Sequence, residues 1–368
     1  MRKKICFFIG YYPFVKGGAE YQSKLIAESL KKNYDIFFIS VSNNHSSKEL
    51  IISDDFKVYQ LNYNLNVNKV FLYYPLAQEI NEILFKEKPS IIYQRILNSF
   101  SYHLSQYSSK NGIVHYIHVA DKYSLIFDKA NLSTIVRKLM FRNLKYTSTR
   151  LITQNEEQTQ LLSQYNIKPI LQIYNMHPVP QYNFINYREN KIKDSIKKIV
   201  WIGSSRPVKR LELYIELAKS FEQESKIKFY IIGRIENNQY GNELRLKIKQ
   251  TENIEYLDEQ ENDIVNKFLE KEAFYTINTS LSEGFSNVFI QSWLRGVPVL
   301  SLNSNPDNLF DTYNLGVFFE DNLDNLKEYL KKNIDNEEEY VKKSNESYRV
   351  SRKLFSLDTS IQKIEEIL

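Results

Sequence analysis

Cysteine is almost missing from this chain. Cys6 is the only one among 368 residues, so no intramolecular disulfide can form, and the chain is expected in a reducing cytoplasm. Cys6 lies in an apolar run and reads as a small strand hydrophobe. No uninterrupted apolar run of roughly 18 residues occurs that could span a membrane. The basic start Met1-Arg2-Lys3-Lys4, followed by Ile5 to Val15, imitates a signal peptide. Tyr11, Tyr12 and Pro13 interrupt it, however, and no small-x-small cleavage site follows. The common phosphate cradles are absent: there is no Gly-x-Gly-x-x-Gly after a strand and no Gly-x4-Gly-Lys-Ser/Thr, which sets aside dinucleotide dehydrogenases and P-loop nucleotidases. Without any Asp-x-Asp, a site that holds a nucleotide through a bridging divalent ion is not expected. His115 and His118 have no Cys or acidic residue nearby to complete a ligand set, so neither a metal nor a cofactor is expected. An excess of one charge is also lacking. The net +5 from 49 basic and 44 acidic residues is too small for a general nucleic-acid binder. That sum hides an asymmetry: residues 1–184 carry 22 basic and 13 acidic side chains, and residues 185–368 carry 27 and 31.

What is present is a regular alternation. Apolar residues make up 42% and charged residues 25%, as in a globular protein, and the length exceeds what one core usually supports, so two domains are expected. Short apolar runs at Ile5–Ile9, Asp35–Val41, Lys57–Leu61, Ser90–Gln94, Ile113–His118, Arg150–Thr153 and Ile170–Ile173 read as strands with helical patterns between most of them. A polar stretch over 174–196, with Pro178 and Pro180 and no clear period, reads as the linker. A second series follows at Lys198–Ile202, Lys228–Ile232, Ile254–Leu257, Ala273–Ile277, Pro298–Leu302 and Gly316–Phe319. Helices are expected near 210–222, 241–250, 261–270, 286–295 and 322–332. The fold class is therefore α/β, with two doubly wound sheets whose ligands bind at the carboxyl ends of strands, in the cleft between them.

Three motifs sit at such places. After the first strand, Gly17-Gly18-Ala19-Glu20 opens a helix; paired glycines admit a ligand close to the backbone and free helix amides favour an anion, although a plain tight turn explains the pair equally well. In Trp201-Ile202-Gly203-Ser204-Ser205-Arg206-Pro207-Val208-Lys209-Arg210, three basic residues fall within five positions beyond a strand, where a phosphate would lie; the competing reading is a solvated charge cluster. The third and most specific is Glu283-Gly284-Phe285-Ser286-Asn287-Val288-Phe289-Ile290-Gln291-Ser292-Trp293, followed by Arg295-Gly296-Val297-Pro298-Val299. Ser282 or Ser286 could cap that helix and Gly296 could stop it, but capping requires neither Glu283 nor Asn287.

Together with Gln154-Asn155-Glu156, Asn175 and the Asn305-Pro306-Asp307 turn, these segments resemble the family-4 retaining glycosyltransferases of GT-B architecture over nearly the whole chain. The resemblance implies an N-terminal acceptor-binding Rossmann-like domain over 1–180 and a C-terminal nucleotide-sugar-binding domain over 181–354. A last helix, within 355–368, is expected to pack back on the first domain. It implies that Lys209 binds the donor diphosphate, that Glu283 binds hydroxyls of the transferred sugar and that His118 contacts that sugar. Gly284, Phe285, Ser286, Asn287 and Val288 would offer backbone amides, and Gly17 and Gly18 would line the opposite wall.

Two positions depart from the family pattern. Ser204 stands where an Arg usually follows the glycine, with Arg206 or Arg210 as candidate replacements, and Gln291 stands where a second Glu usually binds the donor ribose. The implied function is metal-independent, retaining transfer from a nucleotide-diphosphate sugar to a saccharide or lipid-diphosphate-linked acceptor, in cell-surface polysaccharide or glycolipid synthesis. The alternative suggested by Ser204 and Gln291 is a non-catalytic nucleotide-sugar-binding or partner protein. Over 133–150, Val136, Leu139, Met140 and Leu144 form an apolar stripe with Arg137, Lys138, Arg142 and Lys145 largely off it. This reads either as an ordinary surface helix or as a contact to an anionic membrane surface at the inner face of the cell membrane.

Overall fold

The computed structural model describes residues 2–42, 49–62, 74–127 and 132–368. The chain forms two compact units, residues 1–176 with 357–368 and residues 177–356. The division falls at Met176/His177 instead of after residue 180, because the next residues bond to the second unit: His177 N donates to Phe355 O at 3.0 Å and Arg352 to the Pro180 carbonyl at 2.6 Å.

The first unit holds an eight-stranded sheet of β1 (Lys4–Phe8), β2 (Asp35–Ser42), β3 (Glu49–Ser53), β4 (Phe56–Asn62), β5 (Ile91–Arg95), β6 (Val114–His118), β7 (Thr149–Thr153) and β8 (Leu171–Gln172). Their spatial order is β3-β4-β2-β1-β5-β6-β7-β8. All neighbours are parallel except β3 with β4. Parallel strands covered on both faces need apolar side chains at every position, and the run Ile5-Cys6-Phe7-Phe8 meets that need by alternation. Ile5 and Phe7 enter one core with Ile26, Phe38 and Tyr93; Cys6 and Phe8 enter the other with Phe37, Ile80 and Phe100. The helix Leu357–Glu365 completes the first of these cores through Ile361 and Ile364.

The second unit is a six-stranded parallel sheet, in the order β11-β10-β9-β12-β13-β14. Its strands are β9 (Lys197–Ile202), β10 (Ile227–Ile232), β11 (Ile254–Tyr256), β12 (Ala273–Asn278), β13 (Val299–Ser301) and β14 (Gly316–Phe318). In each sheet the chain winds outward on one side and then returns to wind outward on the other. The reversal lies between β1 and β5 in the first unit and between β9 and β12 in the second. At such a switch point the loops leaving adjacent strands diverge, opening a crevice beyond the carboxyl ends.

Several elements differ from the sequence expectation, among them a short helix at Leu309–Tyr313. The expected linker contains a helix, Phe184–Lys193, capped by Asn183 and packed through Phe184 on Tyr348 with ring centroids 4.0 Å apart. A helix over Glu337–Leu354 was not expected. Its buried face consists of Tyr340, Lys343, Ser344, Ser347, Val350 and Ser351, with Ser344 donating to the Gly296 carbonyl at 2.6 Å, so no apolar stripe announces it. The strand β3 was also unforeseen; it forms a hairpin with β4 through Asp54-Asp55, both at positive φ (51° and 64°), the backbone of a type I′ turn.

Candidate functional site

The switch point of the second unit is tied together by side chains that leave β9 and β12. Trp201 Nε1 donates to Thr279 Oγ1 at 3.1 Å, and Thr279 Oγ1 donates to the Lys209 carbonyl at 2.7 Å. Arg210 Nε donates to the Thr279 carbonyl at 2.7 Å, and Leu281 N donates to the Val208 carbonyl at 2.8 Å. The loop after β9 is thereby fixed against the loop after β12. Lys209, 74 residues before Glu283, places its ammonium on Glu283 Oε1. Ser280 Oγ and Asn278 Nδ2 reach the same oxygen at 2.7 and 3.3 Å. All these donors converge on Oε1, and Oε2 has no hydrogen-bond partner among the described residues. The two side chains are 17% and 12% exposed, so the pair is screened from bulk water without being sealed off. Thr279, Ser280 and Asn278 were not singled out in the sequence; their only signal was a polar tripeptide at the end of an otherwise apolar strand.

The other expected residues of this unit separate into two groups. Gly203 lies against Gly233, whose φ is +146°; a Cβ at 233 would come within 1.6 Å of the Gly203 carbonyl oxygen, so the loop can take this path only past a glycine. Ser204 is half-buried and its carbonyl accepts from Arg206 N at 2.8 Å. Arg206 is exposed, and its guanidinium has no partner among the described residues. Arg210 is different: it pairs with both carboxylate oxygens of Asp321, one contact being 3.0 Å, so its charge is already committed. Ser286 stands at the N-cap of the helix Asn287–Leu294 but makes no side-chain cap bond. Asn287 and Val288 in its first turn and Gly284 before it are partly exposed. Phe285 is buried and packs on Phe355 at 5.4 Å, so only its backbone can meet a ligand. Gln291 is buried, with Nε2 donating to Asn266 Oδ1 at 3.2 Å.

In the first unit, Gly17 is the N-cap of the helix Gly18–Leu30, with extended backbone and no side-chain cap. A Cβ on Gly17 would fall 2.1 Å from Glu20 Oε2, so the glycine leaves room for that carboxylate to fold back over the helix start. His118 is fully buried; Nδ1 pairs with the Tyr93 hydroxyl at 2.7 Å and Nε2 has no hydrogen-bond partner among the described residues. Burial, with the charge of Arg95 second, holds His118 well below the usual histidine range, so it is a neutral imidazole at pH 7. His115 is also buried, bonding Thr149 and Gln94 at 3.1 Å each, and burial lowers it to about 3; it is a structural residue. No group of three or more His, Cys, Asp or Glu side chains among the described residues is placed to hold a metal ion.

The helix expected over 133–150 runs from Leu132 to Asn143, and the side chain of Ser133 lies outside the described residues. Its buried positions are Thr134 and Phe141, followed by Leu144 in the next turn. Leu139, expected in the packed stripe, is 54% exposed beside Ile135 at 50%, because the core side is one step further round the helix. No helix among the described residues is long and apolar enough to cross a membrane.

Residues 184–350 match the family model of glycosyl transferases group 1, and residues 4–155 match that of glycosyl transferase 4-like proteins. A comparison with curated proteins finds no sequence match. Among solved structures, HepE of Anabaena in complex with UDP and glucose is similar at TM-score 0.73 and 14% identity, over 100% of this chain and 99% of that one. A glycosyltransferase from Rickettsia africae is similar at TM-score 0.73 and 16% identity, over 100% and 97%. WaaG, a glycosyltransferase involved in lipopolysaccharide biosynthesis, is similar at 0.71 and 16%, over 99% of both chains. At these identities the likeness shows a shared fold.

Proposed function

We propose, from the premise that the chain belongs to the glycosyl transferases group 1 family and has the GT-B fold, that it transfers a sugar from a nucleotide-diphosphate donor with retention of anomeric configuration. The acceptor is a saccharide or a lipid-linked saccharide. The observation that carries this reading is the Lys209–Glu283 pair fixed at the carboxyl ends of β9 and β12. Retaining transfer breaks the bond between the anomeric carbon and the diphosphate, so the site must stabilise a departing anion. Lys209 does this as a fixed cation, supported by the exposed Arg206 and by the N-terminal end of the helix Asn287–Leu294. Glu283 Oε2 takes hydroxyls of the sugar and favours the positive charge that develops on its ring. Transfer then needs no metal ion. Gln291 Oε1 serves the ribose as a neutral acceptor. In the first unit, Gly17, Gly18 and His118 are assigned to the diphosphate and the transferred sugar, with His118 acting as a neutral hydrogen-bonding group.

Crystal forms of HepE with UDP and with UDP-glucose make UDP-sugars the first donors to test. Purified chain is incubated with a panel of nucleotide sugars, and released nucleotide and transferred sugar are read by mass spectrometry. Donor hydrolysis or transfer is expected from at least one; nucleotide binding without either over long incubation would favour the binding-protein reading. The exposed Ile135 and Leu139, next to Lys138 and Arg142, support a peripheral contact with an anionic membrane surface.

A further inference from the structure

Strand register gathers three polar side chains on one face of the first sheet. Tyr93 and Arg95 stand two positions apart on β5, and in the pairing of β5 with β6 Arg95 lies opposite His118 while Tyr93 lies opposite Tyr116. Tyr93, Arg95 and His118 are all buried, so their hydrogen bonds must be found within the protein or its ligand. The Tyr93 hydroxyl meets His118 Nδ1 at 2.7 Å, with the two rings 81° apart, and its other polar neighbour among the described residues is the Arg95 guanidinium.

That second neighbour decides which atom donates. A guanidinium carries five N–H groups and no acceptor, so it draws the Tyr93 oxygen toward itself and turns the hydroxyl proton away. The acceptor left for that proton is His118 Nδ1. The reverse arrangement, with Nδ1–H donating to the Tyr93 oxygen, would bury a hydroxyl proton against a cation without an acceptor, which is costly. With Nδ1 accepting, the ring's own proton belongs on Nε2, the nitrogen that makes no hydrogen bond among the described residues.

We infer that Tyr93 is a positioning residue that holds the proton of His118 on Nε2, so that His118 meets the transferred sugar as an N–H donor and does not act as a base. The inference rests on the assignment of His118 to that sugar above, and adds the direction of its hydrogen bond and the residue that sets it. To take a proton from an acceptor hydroxyl, the ring needs a free lone pair. Nε2 already carries a proton, and the lone pair of Nδ1 is engaged by Tyr93. A second proton would create a buried imidazolium beside Arg95, which burial and that like charge both oppose. Tyr93 keeps its own proton for this task, because burial raises its hydroxyl and Arg95 only partly offsets the rise. The Nε2–H then has an oxygen to meet only when a sugar hydroxyl or ring oxygen arrives.

Nitrogen-15 NMR of the full chain, labelled at histidine, reads the tautomer directly. The signals of His118 are identified among the five histidines by their loss in His118→Gln or by correlation to the backbone. In the wild type at neutral pH, a proton-bearing Nε2 and an acceptor Nδ1 are expected. Tyr93→Phe keeps the ring and its packing but removes the hydroxyl, and there the two tautomers are expected to exchange. A wild-type proton on Nδ1, an imidazolium, or a single unchanged Nε2–H tautomer in Tyr93→Phe would overturn the inference; the wild-type spectrum decides the first two whether or not the variant folds. Kinetics give a second readout, with UDP and UDP-glucose or the matching pair for whichever donor the nucleotide-sugar panel identifies. The nucleotide lacks the transferred sugar, so Tyr93→Phe should bind it as the wild type does while donor cleavage falls about twofold to tenfold, the worth of one hydrogen bond. Equal losses for nucleotide and donor would mark a merely structural role and overturn the inference as well. A chain that shows the Nε2–H tautomer and its loss in Tyr93→Phe but cleaves no nucleotide sugar overturns the transferase reading and leaves the Tyr93 assignment standing.

Discussion

Neutralising Glu283 and removing Lys209 should have different signatures, because the two charges compensate each other before any donor arrives. In Lys209→Ala the loop stays anchored, since Thr279 bonds the residue 209 carbonyl and not its side chain. What is lost is a fixed cation at the departing diphosphate. A unit charge about 4 Å from an anion in surroundings of effective dielectric about 20 is worth about 4 kcal/mol. Removal of one oxyanion donor in better-known enzymes costs about 2.7–4 kcal/mol, so turnover should fall roughly 10²–10³-fold. Glu283 keeps Ser280 and Asn278 as donors, so stability should fall by about 1–3 kcal/mol, less than the 3–5 kcal/mol typical of a stranded buried charge. Glu283→Gln releases Lys209 to pair with phosphate. Nucleotide binding should then hold or tighten while turnover falls at least 10²-fold, the pattern of an interaction that matters in the transition state. Single-turnover donor cleavage by mass spectrometry, with calorimetry for the nucleotide, separates the two effects. Wild-type turnover in both variants would refute the assignment, and equal loss of nucleotide affinity in both would refute the charge-compensation argument.

Gly233→Ala should lower the unfolding temperature sharply, by the equivalent of about 3 kcal/mol or more, because its Cβ would meet the Gly203 carbonyl at 1.6 Å with φ at +146°; calorimetry checks it. Lys191 is buried, with Nζ donating to the Leu269 carbonyl at 2.7 Å; burial lowers it from 10.5 to about 7, against the pull of Glu270 and Glu272. Between these values the unfolded chain holds a proton that the folded one does not, so stability should rise by a few kcal/mol as pH increases from about 7 to about 10. Lys191→Met should remove that slope and stabilise the protein near neutrality, since the lost hydrogen bond is worth only about 1 kcal/mol; denaturant midpoints at about pH 6, 8 and 10, below, within and at the end of that window, test the sign. Neutralising Arg137, Lys138, Arg142 and Lys145 together should abolish co-sedimentation with anionic vesicles, at about 1 kcal/mol per charge, and unchanged sedimentation would exclude the membrane contact.

Most strands were legible because parallel strands covered on both faces must be written as apolar runs, as Ile5 to Phe8 shows. The helix Glu337–Leu354 was not, because its buried face is built of serines that serve neighbouring carbonyls, a surface that looks solvated in sequence. The same distinction separates the parts of the site. Glu283 and Lys209 were recognisable as residue types beyond strand ends, but their pairing depends on β12 returning to lie beside β9, which local sequence does not encode. Sheet order also decides which cations remain available. Arg210, adjacent to Lys209 in sequence, is drawn away by Asp321 from a loop 111 residues further on. The turn that closes from the Ser204 carbonyl to Arg206 N instead leaves the Arg206 guanidinium exposed and without a partner among the described residues. Ser204 stands where the resemblance places a cation directly after the glycine; we propose that Arg206, two residues along, replaces it, while Arg210 holds the loop through Thr279 and Asp321.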